Sequence, residues 1–247
     1  METDNVKKSH ILPALIVGLS LVASTALASW VYSNARAGDT ISVTGSAKRQ
    51  VISDMVKWNM GIMRTVRISE LQSGYAQLAR DLVAVKDFLK TSGIKDEDIM
   101  VSPVAMEENW SYNDKISAPT EKYYNLRQPI VIQSEEVEKV SEVAKNVESL
   151  IKKGVVLSTF SSLEYYYSKL AELRVGLLAD AVRDAKARAE KILEPSGGKV
   201  GKMKNASSGV VQVMPLNSVE VADYGMYDTQ NKDKEVMVTV RATFIIR

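Results

Sequence analysis

Residues 181–202, AVRDAKARAEKILEPSGGKVGK, join a charged helical face to an apolar one and finish in a glycine turn, so their reading decides the fold. Taken back to Leu170, the apolar residues Leu170, Leu173, Leu177, Leu178, Ala181, Val182, Ala185, Ala189, Ile192 and Leu193 fall on one stripe of helical period. The spacing predicts a core helix over about 170–194, ended by Pro195 and Gly197-Gly198. Its basic residues Arg183, Lys186, Arg188 and Lys191 are interleaved with Asp184, Glu190 and Glu194. Asp184–Arg188 and Lys186–Glu190 have the i,i+4 spacing of surface pairs, which argues against a nucleic-acid grip. A phosphate loop is excluded as well. The run from Gly197 to Gly201-Lys202 is one residue short of a Walker A loop, and Met203 stands where the magnesium-binding hydroxyl belongs. The glycines also follow a helix, at its negative end, rather than precede one.

The chain has 247 residues, 45% hydrophobic and 25% charged, which is the composition of a folded protein with a sizeable core. A net charge of +2 gives no electrostatic case for nucleic acid. There is no cysteine, and the one histidine, His10, precedes the hydrophobic segment. Thiol nucleophiles, thiolate metal sites and disulfides are therefore excluded, as is a histidine-based triad or zinc site within one folded domain. No catalytic, cofactor or metal residue is assigned.

Lys7-Lys8 precede a stretch in which residues 11–35 carry no charge. About 20 helical residues span a bilayer core, so 11–33 is long enough to cross. Two outcomes stay open: a retained anchor, or a secretory signal cleaved after Ala28 or Ala37, both of which fit the small-x-small pattern. The length of the run, Trp30 and Tyr32 at its outer end and Lys7 and Lys8 at its inner end favour the anchor. The expected organisation is a cytoplasmic tail over 1–10, the span over 11–33, a linker over 34–39 and an exported domain over 40–247. The lipid bilayer is then a partner through 11–33, with the protein single-pass in a bacterial cytoplasmic membrane and its domain outside.

Within that domain, period-2 alternation predicts strands over 40–47 and 54–66, and period-3.6 patterning predicts a helix over 69–89 with Ser69 as N-cap. A strand over 99–107, a polar loop over 108–120 and a strand over 123–133 follow. A helix over 134–152 is stopped by Gly154, and a strand over 155–167 leads to the long helix. Strands over 200–214 and 235–247 flank a polar loop near 217–234. The order ββαββαβαββ implies a mixed α+β fold of antiparallel-rich sheets with about three amphipathic helices, preceded by one transmembrane helix. Asp96-Glu97-Asp98 reads as a solvated turn rather than a calcium loop, and no carboxylate pair is singled out for glycoside hydrolysis.

ISVTGSAKRQVISDMVKWNMGI (41–62), LKTSGIKDEDIMVSPVAM (89–106), RVGLLADAVRDAKARAEKILEPSGGKVGK (174–202) and EVMVTVRATFIIR (235–247) occur in that order. Their succession resembles the SIMPL-domain family, with Ser53-Asp54 in place of a Pro-Asp pair. The resemblance implies an exported or envelope-associated bacterial protein without assigned enzyme activity, from a family linked to oxidative-stress tolerance and including ring- or channel-like homo-oligomers. The expected function is thus a non-enzymatic, membrane-tethered protein that assembles with itself. Trp110, Tyr112, Tyr224 and Tyr227, in the two polar loops, are the candidate contacts. A binding or chaperone-like module and a carboxylate-based hydrolase are the alternatives.

Overall fold

A computed structural model describes residues 4–36, 39–113, 118–158, 161–218 and 224–247. The N-terminal helix α1 (Asp4–Arg36) contains a 20-residue stretch, Pro13–Tyr32, with mean hydropathy 2.0. At 1.5 Å per residue this stretch is about 30 Å long, the thickness of a bilayer core. Its apolar side chains are exposed on every face, and the hydroxyls of Ser20, Ser24 and Thr25 donate back to the carbonyls of Val17, Leu21 and Leu21. Such back-bonding satisfies polar groups that hydrocarbon could not. The helix is long and apolar enough to be a membrane anchor or a signal sequence.

The chain beyond it is a mixed α+β fold with antiparallel sheets. Its strands are β1 (Thr40–Ile52), β2 (Met55–Val66), β3 (Ile99–Val101), β4 (Ala105–Asn113), β5 (Ala118–Ser134), β6 (Ser162–Tyr166), β7 (Val200–Ser208), β8 (Gln212–Pro215) and β9 (Asp233–Ile246). Its helices are α2 (Leu71–Thr91), α3 (Val137–Lys145), α4 (Glu148–Lys152) and α5 (Leu170–Leu193). The chain forms two compact units, one of Ala47–Ala179 with Val210–Val238, the other of Met1–Ser46 with Asp180–Gly209 and Thr239–Arg247.

In the larger unit a five-stranded sheet has the order β3-β5-β2-β6, with β4 also pairing β5. Alternate residues of β2, Val56, Trp58, Met60 and Ile62, enter the core with Leu126, Ile130 and Ile132 of β5. Leu78, Val85 and Leu89 of α2 and Val140 and Leu150 of α3 and α4 cover that face. A second cluster joins Leu173 and Leu177 of α5 to Val213, Val236 and Val238. In the smaller unit Ala185 and Ala189 of α5 pack on Val43, Ala242 and Phe244. The alanines permit a close approach here. A Cβ on Gly45 would fall 2.2 Å from the carbonyl oxygen of Ala181 and 2.3 Å from the amide nitrogen of Ala185, so only glycine fits.

Several expected boundaries move. The single strand over 99–107 is two strands, because Pro103 cannot donate to a ladder and interrupts it. The polar loop over 108–120 is a hairpin of β4 and β5 in which only 114–117 fall outside the described residues. The helix over 134–152 breaks after Lys145, where Asn146 turns its side-chain amide onto the carbonyl of Glu142 at 3.0 Å. Ser69 does not cap α2. It lies in a 3-10 turn, Ile68–Glu70, and the carboxylate of Glu70 accepts the N–H of Arg67 at 3.2 Å. Over 155–167 Leu157 makes an isolated bridge to Ile62, β6 covers 162–166, and 159–160 lie outside the described residues. The strand expected over 200–214 is broken at Gly209 into β7 and β8.

Candidate interaction surface and its supports

The β4–β5 hairpin carries an exposed edge of the larger unit, with residues 105–108 and Trp110 open to solvent. β5 pairs with β2 from Ser134 to Tyr124, after which its remaining residues pair with β4 alone. The two strands thus continue past β2 as a two-stranded ribbon. β4 has no strand on its outer edge among the described residues. Trp110 lies directly opposite Lys122 and is 52% exposed. The Lys122 Nζ stands 5.4 Å from the Trp110 ring centroid, 5.6 Å from that of Tyr124 and 2.7 Å from a Glu108 carboxylate oxygen. The hydrogen bond to Glu108, followed by that to Tyr124, holds the Lys122 ammonium above its ordinary range. The ribbon surface therefore presents an aromatic plane held by a paired cation. Tyr112 is on the same strand, but its side chain lies outside the described residues.

Of the other two aromatic candidates, Tyr227 lies beside β6, at the other end of the strand order from β4. Tyr227 bridges Val213 in parallel and its ring lies 5.9 Å from Tyr166 of β6. Tyr166 donates to Glu164 at 2.6 Å, and this bond, helped by burial, pushes its phenol up to about 12. Tyr224 is 90% exposed and follows residues 219–223, which lie outside the described residues. The fold does not bring the four aromatics together, since Trp110 and Tyr112 are on the β4 edge whereas Tyr227 is beside β6. On α1, Trp30 and Tyr32 are exposed at the outer end of the apolar stretch. Lys7 and Lys8 lie in its first turns, their side chains outside the described residues.

Two buried charge clusters escape a reading by composition. Arg64 of β2 grips Asp81 of α2 with Nε at 2.6 Å and Nη2 at 2.8 Å, and the same Nη2 donates to the carbonyl of Gly154 at 2.7 Å. Lys234 is fully buried, and its ammonium donates to the carbonyls of Asp228 and Asn231 at 2.5 and 2.6 Å. Burial pulls its pKa down, while the Asp228 carboxylate opposes that effect. Both were legible in principle. Arg64 and Lys234 continue the inward alternation of Val56–Ile62 and of Val236–Phe244, and Asp81 sits on the α2 face that buries Leu78 and Val85. Each charge is consumed in fastening one element to another.

The glycine turn after α5 is a terminator. Gly197 takes φ 73°, and the open cleft beside it, about 600 Å³, is lined by Glu190 and Glu194 as well as Lys191 and Lys199. Carboxylates at the negative end of a helix repel a phosphate. Among the described residues no group of three or more His, Cys, Asp or Glu side chains is placed to hold a metal ion.

No curated protein matches this chain. Over residues 41–244 it matches the family described as SIMPL, protein of unknown function (DUF541). With that match running from the first strand into the last, the chain belongs to the SIMPL family.

Proposed function

We propose that this protein is a non-enzymatic component of a bacterial envelope, tethered by residues 11–33 and assembled with its own copies into a ring- or cage-like homo-oligomer. The observation that carries the proposal is the β4–β5 ribbon, which offers an unpaired strand edge and a half-exposed Trp110 beyond the body of its sheet. An open edge presents amides and carbonyls that a strand of another copy can satisfy. A closed ring needs two different edges that meet head to tail. β1, terminal in its own sheet over 13 residues, supplies the second. Buried charges spent on fastening, with no thiol and no histidine beyond His10, support a structural role over a catalytic one.

Light scattering of the full-length protein in mild detergent tests this. A defined multimer is expected, and Trp110→Ala should weaken it at least about 30-fold, the effect of losing about 2 kcal/mol at a central aromatic. A strict monomer at every concentration would sink the proposal.

A further inference from the structure

The end of the sheet at which β1 begins is held by the chain close to α1. The carbonyl of Asp39 accepts the N–H of Ile246 at 2.8 Å, and Lys199 and Arg247 exchange backbone hydrogen bonds at 2.8 and 2.9 Å. The starts of β1 and β7 and the finish of β9 therefore share one row. Covalent geometry limits how far this row can stand from the membrane interface. From Tyr32 to Arg36 the helix rises about 6 Å. The three further residues to Asp39 add at most about 11 Å. Asp39, where the row starts, thus stands at most about 17 Å from the end of the apolar stretch, and the exposed lysines of β7 continue from its neighbour Lys199.

Unpaired positive charge collects here. Lys199, Lys202, Lys204 and Arg247 are exposed, and none makes an ion pair among the described residues. On α5, by contrast, Lys186, Arg188 and Lys191 are matched to Glu190, Asp184 and Glu194 at 3.8, 2.8 and 2.9 Å. Asp39 is the one side-chain carboxylate of the row without an ion pair among the described residues, against three lysines and Arg247, which leaves it positive even with the α-carboxylate of Arg247 counted. Lysines on β7 also discourage edge pairing, but that role does not account for Arg247, just past β9, or for the short tether.

We infer that this basic row is a membrane-facing surface that binds the anionic phospholipid headgroups of the leaflet from which α1 emerges. The inference rests on α1 being kept as an anchor. A chain without cysteine allows a single label at Met203→Cys, a site 49% exposed on β7 between Lys202 and Lys204. The full-length protein is placed in nanodiscs of phosphatidylcholine alone or mixed with phosphatidylglycerol, and quenching by headgroup-labelled lipid is read.

Quenching should be strong only in the anionic discs and should collapse near 1 M salt, where the Debye length is about 3 Å. Each single Lys→Gln change at 199, 202 or 204 should lower the ratio of bound to free row about fivefold, whereas Lys→Arg should leave it unchanged. Incorporation into discs with equal quenching in both lipids, or with none, overturns the membrane-facing surface and leaves the anchor standing. Mature protein that begins after Ala28 or Ala37 by mass, and stays out of the discs, overturns the anchor and the inference together.

Discussion

Arg64→Met should destabilise the larger unit by about 3–5 kcal/mol, and Arg64→Met with Asp81→Leu should recover most of that loss. The Asp81 side chain is 4% exposed and that of Arg64 22%, so the pair is largely withdrawn from water. With methionine at 64, Asp81 keeps only the Nε2–H of Gln77, at 3.1 Å, on a helix face shared with Leu78 and Val85. A buried carboxylate with one neutral donor retains most of its desolvation cost, so the single change costs more than the intact pair contributes. The double variant removes that charge and fills the space with carbon. It still leaves the carbonyl of Gly154 without its 2.7 Å donor, a loss of about 1 kcal/mol.

Tryptophan fluorescence during urea unfolding reads this directly. Trp58 is fully buried, whereas Trp30 and Trp110 are 64% and 52% exposed, so the red shift on unfolding reports the core around Trp58. With a denaturant slope near 2 kcal/mol per molar, the single variant should lose about 2 M in midpoint and the double about 0.5 M. A single variant within about 1 kcal/mol of the parent would refute the reasoning, as would a double variant no more stable than the single.

Two further outcomes concern the contact of β1 with α5. Gly45→Ala should cost about 3 kcal/mol or more, and Ala181→Gly should not rescue it, because the atoms at 2.2 and 2.3 Å are backbone; thermal melts of the three variants check this. Asp184 accepts the N–H of Ser46 at 2.8 Å and pairs with Arg188, and these two contacts, in that order, hold its carboxyl below the ordinary range. A depressed folded pKa gives stability that is whole above about pH 4 and fades as pH falls through the depressed value. Asp184→Asn should therefore be less stable at neutral pH and flatter below pH 4, and melting curves parallel to the parent's across that range would count against it.

What could be read from the sequence depended on how one-sided each element is. α5 buries Leu173, Leu177, Ala181, Ala185, Ala189 and Leu193, a strict spacing of four, and its stripe and glycine terminator were both plain. Ile192 was expected on that stripe yet is 59% exposed, because a contact repeated every fourth residue is narrower than a full helical face. Residues 108–113 of β4 were taken for a loop because a two-stranded ribbon outside the core has no buried face to alternate against. In its sequence, AMEENWSYN, Glu108 interrupts the face that carries Met106, Trp110 and Tyr112, and Met106 and Trp110 are half-exposed, so only the opposing strand gives it order. The Arg64–Asp81 and Lys234 clusters were passed over because charge suggests solvent, although all three residues occupy inward positions of otherwise apolar patterns.

The same contrast separates two of the terminal strands, β4 and β7. A charged strand deters pairing only where its charge is left unmatched. On β4 the carboxylates of Glu107 and Glu108 lie 3.8 and 2.7 Å from Arg127 and Lys122 on the neighbouring strand, so an incoming backbone meets a nearly neutral ribbon. Its register shifts once, near the tip, between Ser111 and Tyr112. β7 shifts register twice within six residues and carries Lys202 and Lys204, which make no ion pair among the described residues. An edge that is twisted and left charged is built to refuse another strand, and its lysines remain available to a negatively charged surface. An edge that is neutralised from within and carries an aromatic plane has its backbone hydrogen bonds still to make.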